Sequence, residues 1–579
     1  MGSRDSTSDA SQSHKSEVGD DATGRISLNH EANPALSGAE RPPSPEPPED
    51  GESYPELNFR ERVPSVSWND TPLTHTIHKH PATFIPHIPR YLINKYSTKT
   101  TTEGDRPLVL DPFSGSGTTG LEAKIAGRDY LGVEINPLSK LVSSVSMSPI
   151  PYTVLENTET YINEALQSTP RQRYEDHDVE FLDRTSKSHW FEDSAIEGLT
   201  TIRKVVSEFL DDPPDLTASV EPREQMMIRS IGEAEVEARV GRWLVLMVAN
   251  TVFAVSNADP DVSKAHRSKK MREKIETGEH PPDPVRVYQV ELEESRAKLV
   301  DLWNEVYRTN APGGSEQSVT VDGSENATIY SYSDNWVPLD ENPAHQAETD
   351  VRLGDARTFD FPEYYEEVDL AITSPPYINA MNYYRGTKLR LFWIQDLLEE
   401  TTAIDADTLR RSIIGSNATN IRGFVDELPK YLRNDWKGSR EAYQETSLPE
   451  LDEDIKAIHT GSLSEATQRA YVTYKFFAED MLKTLTQVYR HLKPGACFYF
   501  VIGENTIGGR RIESHRFVAD IAQNIGQFSG QPDDIGVKDG YHFGGFAWDG
   551  ITRRDLFQDR DHGNGAIERE WVVFLQKPA

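Results

Sequence analysis

Between Pro107 and Pro137 the chain changes character four times. Pro107-Leu108-Val109-Leu110-Asp111 is an apolar run ending on an acid, and Pro112-Phe113-Ser114-Gly115-Ser116-Gly117-Thr118-Thr119 is a glycine-rich turn. Gly120 to Ala126 reads as a helix, and Tyr130-Leu131-Gly132-Val133-Glu134-Ile135 as a second strand closed by Asn136-Pro137. A β-α-β order with an acid about 20 positions beyond the glycines is the layout of a nucleoside-binding site in an α/β fold. Glycine lets the backbone approach a ligand closely. The Glu134 carboxylate could accept both hydroxyls of a ribose.

A second stretch constrains the chemistry. Val368-Asp369-Leu370-Ala371-Ile372 reads as a buried strand, and it ends in Thr373-Ser374-Pro375-Pro376-Tyr377. Two prolines stop ladder pairing and stiffen the backbone. Their carbonyls have no N–H groups beside them, a serine hydroxyl precedes them, and an aromatic ring follows. This is a rigid cup of acceptors with a stacking plate, suited to a flat ligand that carries an amino group. Just upstream, Asp350-Val351-Arg352-Leu353-Gly354-Asp355 reads as a third strand of the same sheet, with Asp355 at its end, placed to meet the base of a bound nucleoside.

The rest of the chain divides around these motifs. Residues 1–55 are rich in Ser, Asp, Glu, Gly and Pro and read as a disordered acidic tail, with order beginning near Pro64. Residues 56–150 hold the glycine turn. Residues 151–348 shift to helical spacing, as in Ala195 to Leu210 and Val240 to Val255, and end in a polar linker over 309–348. Residues 349–579 resume the α/β pattern, with a polar insertion at 399–465, one long helix over 466–492, and strands at Cys497 to Ile502 and Trp571 to Leu575. His75, His78 and His80 lie close together, but no further ligand follows at metal-binding spacing, so no metal is expected.

Composition excludes several classes. The single cysteine, Cys497, rules out a disulfide within the chain, and its apolar surroundings make it a core residue. No run reaches the roughly 18–20 apolar residues of a membrane span, Trp243 to Val255 being too short, and the N-terminus lacks a signal-peptide core. A cytoplasmic protein is expected. The net charge of −33 would ordinarily argue against a nucleic-acid partner. Acids are spread along the whole chain and lysine is scarcer than arginine, which resembles proteins of salt-loving archaea. In concentrated salt the screening length falls to about 3 Å, and local contacts would decide binding. Against this background the basic runs stand out: Lys264 to Lys274, Lys430 to Arg440, and Gly508-Gly509-Arg510-Arg511. The first could contact phosphate, or could be a solvated helix face.

Taken together, these segments resemble the amino-methyltransferases of DNA, which methylate the exocyclic amine of cytosine or adenine with S-adenosylmethionine. The resemblance covers roughly residues 75–140 and 350–579. His80-Pro81-Ala82-Thr83-Phe84 is similar to the family's segment before the first strand, which implies that Phe84 packs on the cofactor. Asp111, Phe113, Gly115, Gly117 and Thr118 match its cofactor loop, Glu134 its ribose-holding acid, and Asp355 its turn near the adenine. Ser374, Pro375, Pro376 and Tyr377 match its catalytic tetrapeptide, and Lys493-Pro494-Gly495 the turn before its later strands. The implied fold is a Rossmann-like methyltransferase sheet with helices on both faces, here with a large, mainly helical insertion. The commonest family arrangements have no such block between the second and third strands, so either insertion could read the target.

In the implied reaction the Ser374 hydroxyl and Pro375 carbonyl hold the two N–H bonds of the amine, and Tyr377 stacks on a flipped base. Serine at the first cup position leans toward cytosine-N4 and leaves adenine-N6 as the alternative. An RNA guanine-amine methyltransferase is a further reading, although no RNA-binding module is recognisable. A non-catalytic DNA-binding subunit of a restriction or defence system is another, against which the intact cup and glycine loop speak. DNA is the implied partner, with a cognate restriction endonuclease as a second.

Overall fold

The computed structural model describes residues 54–63, 73–79, 84–97, 105–172, 187–217, 219–260, 265–307, 343–378, 383–398, 409, 412–415, 448–458, 465–528, 540–550 and 569–579. The runs at His80 to Thr83 and Lys430 to Arg440, and nearly all of the predicted tail and linker, lie outside these residues.

Strands form where the apolar runs predict them. They are β1 (Leu108–Asp111), β2 (Asp129–Glu134), β3 (Thr349–Leu353), β4 (Val368–Thr373), β5 (Leu492–Gly503), the hairpin β6 (Asn505–Ile507) and β7 (Arg510–Ile512), β8 (His542–Gly550) and β9 (Arg569–Gln576). Among the described residues, seven of them make one sheet in the order β3-β2-β1-β4-β5-β9-β8. The first five strands are parallel, and β9 runs antiparallel between β5 and β8. The order reverses direction at β1, so the ends of β1 and β4 flank a topological switch point, where ligands of such sheets bind.

Alternation along the strands separates two cores. Cys497, Tyr499 and Val501 of β5 face one side, while Phe498, Phe500 and Ile502 face the other. On the first side pack α1 (His87–Tyr96), α2 (Thr118–Ile125), α3 (Pro137–Ser146), α4 (Asp193–Asp211), α5 (Glu233–Val255), α7 (Pro284–Val306) and α8 (Tyr383–Ile394), with the short α6 (Lys269–Glu276) between α5 and α7. On the second side pack α9 (Leu482–His491) and α10 (Ser514–Gln523). The helical insertion therefore shares its core with one face of the sheet.

Three expectations change. Order begins before Pro64: the Leu57 N–H donates to the Trp548 carbonyl (2.8 Å), the Trp548 N–H to that of Pro55 (3.1 Å), and Phe59 is fully buried. This strap lies along edge strand β8, and its few apolar residues, scattered among polar and charged ones, are too faint a pattern to announce it. Second, α5 is 23 residues long and starts ten residues before Trp243, because its first turns are polar; by length and composition it could cross a membrane, yet 67% of its most apolar window is buried inside the protein. Third, the predicted 466–492 helix contains a π-helical turn, Phe476–Met481, between Glu465–Lys475 and α9.

Candidate active site

The glycine turn and the Ser-Pro-Pro-Tyr stretch lie far apart in sequence, yet they leave adjacent strands. Val109 and Leu110 of β1 pair with Leu370 and Ala371 of β4, so Asp111 and Thr373 finish side by side. The Asp111 Oδ1 accepts from the Thr373 hydroxyl (2.6 Å) and from the Phe113 N–H (3.0 Å). Burial pushes the Asp111 carboxyl up to about 6 despite these two donors. The sequence alone assigns Thr373 no role; its hydroxyl is the clasp between the two halves.

The turn itself is tightly wound. Gly115 and Gly117 have φ of +55° and +82°, in the left-handed region that other residues avoid. A Cβ on Gly117 would lie 2.7 Å from the hydroxyls of Ser143 and Ser146 and 2.9 Å from the Ser143 Cα, so α3 rests directly on the turn. Thr118 opens α2 and is buried. Phe113 and Tyr377 pack against the α9 side of the sheet, whereas Phe84 packs against the α5 side.

Glu134 ends β2 beside the turn. Its Oε2 accepts the Gly115 N–H (2.9 Å) and its Oε1 the Asn136 N–H (2.8 Å). Each oxygen thus holds one backbone donor and keeps further acceptor capacity. Burial, with a smaller push from the nearby Asp111 carboxyl, raises this carboxyl to about 7 against the pull of those N–H groups. Asn136 caps α3 through the Leu138 N–H and reaches Thr387 of α8 (3.3 Å).

Beyond β3, Asp355 sits half-buried in a network the sequence did not announce. It accepts from the Arg357 N–H (2.9 Å) and guanidinium (2.8 and 2.5 Å), and Arg357 also donates to Asp480 (2.9 Å) and to the Ser412 carbonyl (2.9 Å). Asp480 lies 123 residues from Arg357, inside the π-helical turn, so no local pattern could have paired them.

At the end of β4, Pro375 is buried and Ser374, Pro376 and Tyr377 are half-buried. Among the described residues, nothing hydrogen-bonds to the Ser374 hydroxyl or the Pro375 carbonyl. The Tyr377 hydroxyl donates to Glu570 Oε1 (2.8 Å) on β9, which fixes the ring, and Gly415 approaches the Tyr377 carbonyl so closely that a Cβ there would lie 3.0 Å away. Glu570 is 193 residues distant and carried no sequence signal.

The histidines have other partners. His75 Nε2 lies 2.8 Å from Glu122 Oε1, and Arg90 binds the same carboxylate at 2.6 and 3.0 Å. Burial alone would raise the Glu122 carboxyl, but Arg90 and His75 hold it down at about 2. His78 Nδ1 lies 2.6 Å from Asn250 Oδ1 on α5. Among the described residues, no group of three or more His, Cys, Asp or Glu side chains is gathered as a metal site.

Known proteins share part of this sequence. The profile of a family described as DNA methylase matches residues 26–141, which include β1, the glycine turn and Glu134. The chain is 29% identical over 154 residues to the type II methyltransferase M.MvaI of Kocuria varians, covering 25% of this chain and 32% of that protein. Over these stretches the chain is similar to DNA methyltransferases of type II. Two further type II methyltransferases are similar over shorter spans. The type II methyltransferase M2.DpnII of Streptococcus pneumoniae is 38% identical over 79 residues, which is 14% of this chain and 28% of the relative. M2.MboI of Moraxella bovis is 38% identical over 74 residues, which is 13% of this chain and 23% of the relative. The chain therefore spans about a third or less of the length of these relatives. No solved structure matches it. The family profile stops before β4, so for Ser374 to Tyr377 the observation is the geometry itself.

S-adenosylmethionine is the group that this similarity implies. S-adenosylmethionine carries a cationic sulfonium and ammonium. Two desolvated carboxyls, Asp111 and Glu134, flank a left-handed glycine turn, and a nearby cation would relieve the cost of ionising them. The donor set suits that group.

Proposed function

We propose that this chain is a site-specific DNA methyltransferase, acting on the exocyclic amine of a flipped base, with cytosine-N4 as the target. The bond between Asp111 and Thr373 carries this reading, because it sets the acceptor cup directly beside the glycine turn. Phe84, Phe113, Gly115, Gly117, Thr118, Glu134 and Asp355 would hold S-adenosylmethionine. When bound, that group supplies a methyl on a sulfonium, a good leaving group.

An exocyclic amine is a poor nucleophile, because its lone pair is delocalised into the ring. The Ser374 hydroxyl and Pro375 carbonyl hold its two N–H bonds, which favours a tetrahedral nitrogen and frees the lone pair. Pro375 and Pro376 keep these acceptors rigid, and Tyr377, its hydroxyl tied to Glu570, offers a fixed ring for the base to stack on. A base inside a duplex cannot reach a half-buried cup, so it must be extruded. The type II designation of the relatives extends the proposal to a cognate restriction endonuclease that reads the same sequence, both acting on DNA in the cytoplasm.

The test is to express the chain in a host lacking DNA methylation and identify modified bases by sequencing and by nucleoside mass spectrometry. N4-methylcytosine within one short sequence is expected. N6-methyladenine instead would overturn the base assignment, and no modified base would overturn the activity. Ser374→Ala should lower methyl transfer at least a thousandfold while the Kd for S-adenosylmethionine stays within about threefold, roughly 0.7 kcal/mol.

A further inference from the structure

We propose that residues 265–280, with α6 at their centre, hold the phosphate backbone of the duplex beside the extruded base. This rests on the reading of the chain as a DNA methyltransferase.

Charge is the first observation. Arg267, Lys269, Lys270, Arg272 and Lys274 stand against one acid, Glu273, in a chain with 61 basic and 94 acidic residues. Acids return only at Glu276 and Glu279. The Lys269 side chain is 90% exposed, and Arg272 is exposed as well. Lys269 lies 3.8 Å from Glu273 on that open surface, a pairing that holds the cation only weakly. Ser268 caps the helix through the Met271 N–H (3.1 Å), and the buried Met271 anchors it. The cations are therefore presented on a fixed element.

Position is the second observation, and it comes from helix direction. One cleft is lined by Gly241 and Val245 of α5 together with Leu397 and Leu398, just past the end of α8. Farther along α5, the ring of Phe253 has the Arg390 guanidinium 4.2 Å from its centroid. Moving up α5 thus means moving back along α8, so the two helices are antiparallel. The start of α8 lies six residues after Tyr377, and its Thr387 meets Asn136 at the end of β2. The C-terminal end of α5 consequently lies at the same end of the sheet as the acceptor cup.

The chain of contacts continues outward from there. The Lys388 Nζ lies 5.4 Å from the Trp190 ring centroid, and the Trp190 carbonyl accepts the Asn257 N–H (2.7 Å), two residues beyond α5. The Asp259 N–H donates to the His266 carbonyl (2.8 Å), which fixes where the basic segment begins. These contacts lead stepwise from the helix that follows the cup to the cations. In the proposed complex the duplex that delivers a base into the cup lies across these contacts, and its phosphates are the polyanion that such a cluster complements.

The test compares two double variants of equal charge. Lys269→Gln with Arg272→Gln alters the proposed contact. Arg106→Gln with Arg490→Gln removes the same charge just before β1 and β5, at the opposite end of the sheet. Methylation of a duplex bearing the target sequence is followed across a KCl series. For the α6 variant, the KM for DNA should rise about tenfold, and the slope of log KM against log salt should fall by about 2, close to 0.9 per phosphate contact. Its kcat and its Kd for S-adenosylmethionine, which report on folding, should stay unchanged. The control variant should match wild type throughout. Unchanged KM and slope in the α6 variant, or an equal shift in both variants, would overturn the proposal and leave α6 as a solvated face. A wild-type protein that methylates no DNA would instead remove the reading on which the proposal rests.

Discussion

Glu134 shows what a single residue tells and withholds. Its acid type and its distance from the glycines were legible in the sequence. Its two backbone donors, Gly115 and Asn136, are local enough to infer only once the turn is built. Tyr377 is the opposite case, because its partner Glu570 arrives from another strand and leaves no local trace. The Glu134 environment makes a pH prediction. Burial, opposed by its N–H donors, raises the folded-state carboxyl from 4.5 to about 7. A raised carboxyl favours the folded state most below the unfolded value of about 4.5, and this contribution is lost as pH climbs through 7. The loss is about 3 kcal/mol, at 1.36 kcal/mol per pKa unit, and Asp111 acts in the same direction. Without ligand, wild type should therefore lose stability relative to Glu134→Gln between pH 5 and pH 8. Denaturant unfolding at four pH values in that window measures it, and parallel pH profiles for the two proteins would refute it.

Elements were easiest to read where apolar runs had sharp punctuation. The β1-turn-α2-β2 unit has glycine and proline at its corners, and its strand limits fall within a residue or two of the sequence reading. The polar first turns of α5 and the strap at 54–63 had no such punctuation, so their starts were misplaced. Glycines provide a test at this scale, because Gly117 and Gly509 share φ of +82° and differ in surroundings. A Cβ on Gly509 meets nothing within 4 Å, whereas one on Gly117 would lie 2.9 Å from the Ser143 Cα, which is backbone and cannot swing aside. Gly509→Ala should cost only the left-handed strain, about 1–2 kcal/mol. Gly117→Ala should cost about 1–3 kcal/mol more, since α3 must shift, and should weaken S-adenosylmethionine binding as the turn moves. Equal losses of stability would show that α3 gives way freely.

At the scale of the whole molecule, the sequence divides the chain at about 151 and 349, and packing does not follow that division. The residues of α4, α5 and α7 belong to one buried cluster with Leu370, Ile372, Tyr499, Val572 and Phe574 of the sheet. Helical periodicity reads the same whether a helix block closes on itself or on a neighbouring sheet, so this continuity was not legible beforehand. We infer that the insertion and the sheet unfold as one unit. Trp243 of α5 is the probe: it is fully buried, and its Nε1–H donates to the Ser295 hydroxyl (2.8 Å). Trp243→Ala should cost about 3–5 kcal/mol through the cavity it leaves. If the unit is single, amide-exchange protection should fall by the same amount in α5 and in β4 and β5, although neither strand contains the substituted residue. Loss confined to α4, α5 and α7, with the strands still protected, would make the insertion a separate domain resting on the sheet.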